Sequence, residues 1–146
     1  MFIEAGKILE MIFDLVMIFS RSMPFVPEAV EMNTLEFYVF MFVALKGPSS
    51  MSEIARKLAV SKSNVTAVVD RLEAKGYLKR VRSASDRRVV HVVLTERGER
   101  LYQDILGNLE DTIQTAVSRI PPEDLKVISD GFERMIRVFL SGEVEE

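Results

Sequence analysis

A chain of 146 residues that is 48% hydrophobic is long and apolar enough to bury one core without covalent or metal staples. It has no cysteine and a single histidine, which excludes a disulfide framework, thiol-based sensing and a multi-histidine zinc site. The formal net charge is −3, yet residues 51–100 hold twelve Lys and Arg against six Asp and Glu, so a segment of +6 sits in a remainder of −9.

The first predicted helix covers residues 2–19. Phe2, Ile8, Leu9, Ile12, Phe13, Leu15, Val16 and Phe19 occupy more than one helical face, which predicts contact with its own domain and with a partner chain. Glu10 and Asp14 interrupt the run, which is shorter than the roughly 20 residues of a membrane span. Lys7 is offset by Glu4, and Met23-Pro24 lacks a small-residue cleavage pattern, so a signal peptide is not expected either. A cytoplasmic location fits the absence of cysteine. Pro24 and Pro27 end this helix.

A second helix, LEFYVFMFVALK over residues 35–46, starts behind Asn33 or Thr34 and stops at Gly47-Pro48. With so little polar face it reads as a buried spine, and a short strand after Gly47-Pro48 could join a sheet. Ser50 or Ser52 then caps a third helix whose apolar positions Met51, Ile54, Ala55 and Leu58 share one face, with Glu53 at capping-box spacing from Ser50. Ala59-Val60-Ser61 is a very short link, and Ser61 caps a fourth helix over residues 62–75 that Gly76 closes as a left-handed cap. Val65, Val68, Val69 and Leu72 form its buried stripe, turning Lys62, Ser63, Asn64, Thr66, Ala67 and Arg71 outward or partly outward. Small amides and hydroxyls on such a face suit the major groove of DNA, and long cations suit phosphate.

After Gly76 the apolar period becomes that of strands, over 77–82 and 89–94, flanking the cationic tip Ser83-Ala84-Ser85-Asp86-Arg87-Arg88. Thr95 caps a long amphipathic helix over 96–119, with Leu101, Ile105, Leu109, Ile113 and Val117 on one side. Pro121-Pro122 breaks the chain, and a last helix over 123–140 is expected to turn Leu125, Ile128, Phe132, Met135, Ile136 and Phe139 inward. The order is α-α-α-α-β-β-α-α, an α+β, mostly α fold containing a winged helix-turn-helix. A basic segment of that kind on an acidic support is the electrostatic footprint of a nucleic-acid-binding face.

The helix pair SEIARKLAVSKSNVTAVVDRLEAKGYLKR, the Asp-x-Arg at Asp86 and Arg88, and Leu-Thr-x-x-Gly at Leu94, Thr95 and Gly98 resemble the MarR family of bacterial transcriptional regulators over nearly the whole chain. The resemblance implies one domain over 1–146, with the winged module over 35–95 and dimerisation helices over 2–23 and 96–141. It also implies a homodimer that sets two recognition helices on a near-palindromic site in double-stranded DNA, most simply as a repressor. Resemblance and helix geometry together put Ser61, Lys62, Ser63, Asn64, Thr66, Ala67 and Arg71 at the major groove, with Asn64 and Thr66 reading bases. Arg87 and Arg88 fall at the wing tip, suited to a narrow minor groove. Asp70 is expected to pair with Arg88, so that Asp70 and Asp86 orient the wing. Many family members release DNA on binding a small aromatic molecule, and the methionines and phenylalanines of residues 11–42 could line such a pocket.

Catalysis has no support in the residues. His91 lies alone on a strand, no glycine-rich phosphate loop exists, and Ser61, Ser63 and Thr66 have no base beside them. Neither a cofactor nor a metal is expected. The alternatives to a DNA-binding regulator are a winged helix serving protein interaction, which would be expected to lack a cationic groove helix and wing, and a non-specific nucleic-acid-binding module without operator preference.

Overall fold

The computed structural model describes residues 4–22 and 31–141. The expected helix end at Pro24 and Pro27 lies outside the described residues, as do Phe2 and the side chain of Phe19. Six helices and a two-stranded sheet follow in the expected order among the described residues: α1 (Ala5–Ser22), α2 (Thr34–Lys46), α3 (Met51–Leu58), α4 (Lys62–Ala74), β1 (Leu78–Arg82), β2 (Val90–Leu94), α5 (Glu96–Val117) and α6 (Pro122–Ser141).

The starts of α2, α3 and α4 are fixed by local chemistry. Asn33 accepts from Glu36 N while the Glu36 carboxylate accepts from Asn33 N, and Ser50 and Glu53 repeat the same reciprocal box. Ser61 Oγ accepts from Asn64 N at 3.1 Å, satisfying one of the free donors at the head of α4. Gly47 and Gly76 have φ of +80° and +84°, values that a glycine adopts without steric cost.

The chain divides into two compact units, Met1–Leu109 and Glu110–Glu146. The core of the first is built by Val39, Phe40 and Val43 of α2, Ile54 and Ala55 of α3, Val65, Val68, Val69 and Leu72 of α4, then Tyr77, Leu78, Val92, Leu101 and Ile105. The Phe40 and Tyr77 rings meet edge to face with centroids 6.1 Å apart. β1 and β2 pair antiparallel with Leu78 opposite Leu94 and Arg82 opposite Val90. Ser49 adds the expected third strand as a single bridge, with N–H···O bonds of 3.2 and 2.7 Å to and from Val92.

Two packing expectations are corrected. The second helix is not buried all round, because Tyr38 and Leu45 are exposed on the side away from the core. The apolar positions of α6 do not turn inward within the chain. Leu125 is half-buried, but Ile128, Phe132, Met135, Ile136 and Phe139 are exposed, and so are Ile8, Leu9, Met11, Ile12, Phe13, Val16, Met17 and Ile18 of α1. An apolar stripe states that burial is favourable without stating which surface provides it.

Candidate nucleic-acid interface

Helix α4 is held by its inner stripe. Val65, Val69 and Leu72 are fully buried and Val68 nearly so, which fixes the opposite edge toward solvent. Along that edge Lys62, Ser63, Asn64 and Ala67 are exposed and Thr66 is half-buried. The Asn64 carboxamide has no hydrogen-bond partner among the described residues, so its donor and acceptor are both available to a base edge. Thr66 differs, since its hydroxyl donates to Lys62 O at 2.9 Å and can only accept from outside. Ser61 is committed to the cap and lies 3.2 Å from Ser63 Oγ.

Both flanks of α4 carry ionic partners. On one, Glu36 of α2 is buried and accepts from Arg71 Nε at 2.8 Å and Lys75 Nζ at 3.0 Å. Burial raises the Glu36 pKa, but hydrogen bonds from Lys75, Arg71 and the Asn33 backbone outweigh it and hold the carboxyl below its ordinary value. Arg71, expected outward or partly outward at the DNA face, has its Nε turned onto α2. On the other flank, Arg80 of β1 reaches Asp70 Oδ1 at 2.6 Å and Glu73 Oε2 at 2.8 Å, bridging the wing strand to the helix. The expected Asp70–Arg88 pair is thus replaced by Asp70–Arg80, because the hairpin register sets Arg80 beside the helix while Arg88 is at the tip.

The tip has its own turn chemistry. Asp86 Oδ1 accepts from Arg88 N at 3.0 Å and lies 3.5 Å from Arg88 Nε, and Arg82 donates to the carbonyl of Arg87 at 2.9 Å. The Arg88 side chain is 94% exposed, and that of Arg87 has no partner among the described residues. His91 is half-buried opposite Val81.

The sequence model of the MarR family matches residues 31–89. The transcriptional regulator MhqR of Bacillus subtilis is 31% identical over 104 residues, covering 71% of this chain and 72% of that one. The chain belongs to the MarR family. A MarR-like transcriptional regulator from Thermotoga maritima of known structure is 43% identical, with 94% of this chain and 98% of that one covered and a TM-score of 0.79. The transcriptional repressor MdtR of Bacillus subtilis is 29% identical over 111 residues, 74% of this chain and 72% of that one. As a MarR-family protein the chain is a DNA-binding transcriptional regulator, a family of regulators and not of enzymes. No helix among the described residues is long and apolar enough to cross a membrane.

The motif Leu-Thr-x-x-Gly has a structural reason in this MarR chain. Thr95 N donates to Tyr77 O at 3.0 Å, its hydroxyl donates to Gly76 O, and that same oxygen caps α5 by accepting from Gly98 N at 3.0 Å. The carbonyl of Tyr77 stands 2.2 Å from where a Cβ on Gly98 would lie, so only glycine lets α5 start here. Glu36, Arg80 and Glu73 are the residues at this interface that sequence reading did not single out. Glu36 had one local signal, its place three residues after Asn33; Arg80 had none beyond its charge.

The turn between α3 and α4 places Ala59 at φ 53°, ψ 43°, a left-handed conformation, with its side chain exposed. An L-residue there costs about 1–2 kcal/mol, partly offset by the greater chain entropy a glycine loses on folding. Ala59→Gly should therefore raise stability by about 0.5–1 kcal/mol, read as a higher urea midpoint at unchanged slope. A lowered midpoint would show that the methyl contributes packing that its exposure does not suggest.

Proposed function

We propose that this regulator reads a specific double-stranded operator as a homodimer, with one α4 in the major groove of each half-site and one wing along the flanking minor groove. The observation that carries the reading is the exposed edge of α4, with an unpartnered Asn64, beside a hairpin whose Arg87 and Arg88 project into solvent. Lys62, Ser63, Thr66 and Ala67 complete that edge, Ser61 and Arg71 border it, and Asp70 and Asp86 orient the wing. Half-site centres about 10–10.5 bp apart suit two helices related by a two-fold axis. The apolar faces of α1 and α6 supply surface for the dimer, and repression by occupying a promoter follows the pattern that the name of MdtR gives. Cytoplasmic placement goes with that role.

Release by a small aromatic anion belongs to the same proposal. It is supported by an open notch of about 400 Å³ lined by Tyr77, Arg97, Arg100, Leu101 and Asp104. The Arg97 guanidinium sits 4.8 Å from the centre of the buried Tyr77 ring, a cation held in place to meet the anionic group of such a ligand.

Two substitutions test the DNA face. Asn64→Ala should cost on the order of 1–3 kcal/mol on the cognate duplex and little on a scrambled one. Arg87→Ala should weaken both and reduce the slope of log affinity against log salt by about one unit per protomer. Fluorescence anisotropy across several salt concentrations reads both effects, and wild-type behaviour of both variants would show that DNA binds elsewhere.

A further inference from the structure

We propose that Glu36, which lies on α2 and outside the DNA face, is a positioning residue for operator reading: by gripping Arg71 and Lys75 it sets the roll of α4 about its axis. The proposal rests on the reading of α4 as the DNA-facing helix. Arg71 and Lys75 are one turn apart and share a flank of α4, and Asn64 lies two turns before Arg71 on that flank. Any roll that loosens this flank moves the Asn64 carboxamide with it. The buried stripe of three valines and a leucine holds α4 on the core, and the ionic hydrogen bonds on this flank add a directional constraint on its roll.

Both carboxylate oxygens of Glu36 are fully engaged. Oε1 accepts from Arg71 Nε at 2.8 Å and Asn33 Nδ2 at 3.2 Å, and Oε2 accepts from Lys75 Nζ at 3.0 Å and Asn33 N at 3.3 Å. Lys75 Nζ donates as well to Glu31 O at 3.1 Å, so the chain entering α2 is tied to the end of α4 by the same ammonium. With Nε anchored, the two Nη groups of Arg71 have no partner among the described residues, and the side chain is 49% exposed. An anchored guanidinium meets a phosphate with less ordering left to do than a free one. Glutamine cannot substitute, because in either orientation its NH₂ faces donors at one of the two oxygen positions.

The test is Glu36→Gln in the full-length protein, with affinity for cognate and scrambled duplexes measured beside thermal melting and Asn64→Ala. Removing a negative charge near a DNA face should tighten binding if charge alone mattered. The expected result is the reverse, a loss of about tenfold on the cognate duplex with a much smaller change on the scrambled one, so that the ratio of the two falls. A role confined to stability would lower both in equal proportion through the folded fraction. If Glu36→Gln does not fold, Lys75→Met leaves Glu36 paired with Arg71 and should lower the same ratio by about threefold, whereas a lysine serving only as a phosphate contact lowers both duplexes alike. An unchanged ratio in the folded variant overturns the positioning role. When Asn64→Ala also leaves the ratio unchanged, the reading of α4 falls with it; when Asn64→Ala lowers the ratio, only the role of Glu36 falls.

Discussion

Replacing Phe132 and Phe139 together by aspartate should convert the proposed homodimer to a monomer at micromolar concentration. The two rings lie two turns apart on α6, in one stripe with Ile128, Met135 and Ile136, and are 42% and 66% exposed in the single chain. Burying a fully exposed phenylalanine is worth about 1.5–3 kcal/mol, these rings have roughly half of that left to gain, and a two-fold interface loses four such side chains when two positions change. The added carboxylates would also have to be desolvated, so the dissociation constant should rise by several orders of magnitude. Sedimentation velocity gives the answer, with circular dichroism to confirm that the helices persist. A wild-type monomer at that concentration, or a dimer that survives both substitutions, would remove α6 from the interface and with it the paired half-sites.

Gly98→Ala should be the most damaging single-atom change in the winged module. The new Cβ would lie 2.2 Å from Tyr77 O, 3.1 Å from its carbonyl carbon and 3.4 Å from Leu94 Cδ2. The carbonyl cannot retreat cheaply, because it accepts from Thr95 N and belongs to a residue whose ring is packed on Phe40. Overpacking against backbone of this kind costs about 2–4 kcal/mol, a fall in melting temperature of roughly 5–15 °C for a chain of this size. Relief by shifting Tyr77 would also displace the start of β1, so operator affinity should fall with stability. Melting within 2 °C of wild type, roughly the effect of half a kcal/mol, would mean that α5 can slide away from the hairpin without loss.

What could be read in the sequence follows the range of the interactions concerned. The caps at Ser50 and Ser61, the left-handed Gly76 and the buried stripe of α4 depend on residues within one or two turns, and each is where the residues predict it. The family motifs also lie in continuous stretches. Glu36 shows the limit: its box with Asn33 is local, but its hold on Arg71 and Lys75 spans 35 and 39 residues and exists only once α2 and α4 are packed. Asp70 faced four arginines of the hairpin as candidates, and the register of β1 against β2, not composition, selected Arg80. The apolar faces of α1 and α6 were visible as periodicity, which does not say what surface covers them. Tyr38 and Leu45 were expected inside because a helix of apolar residues carries no mark of which apolar side has a neighbour.

The outer edge of α4 contributes almost nothing to the core, since Ser63, Asn64 and Ala67 are exposed while Val65, Val68, Val69 and Leu72 lie on the other side. Folding and operator choice are therefore written in interleaved but separate letters of one helix. Such a scaffold can drift toward new DNA targets through substitutions on that edge that leave its stability untouched. Gene duplication acting on a chain of this construction would yield regulators that share a fold and diverge in their sites, because the mutations that change the target do not have to be rescued by others that restore the fold.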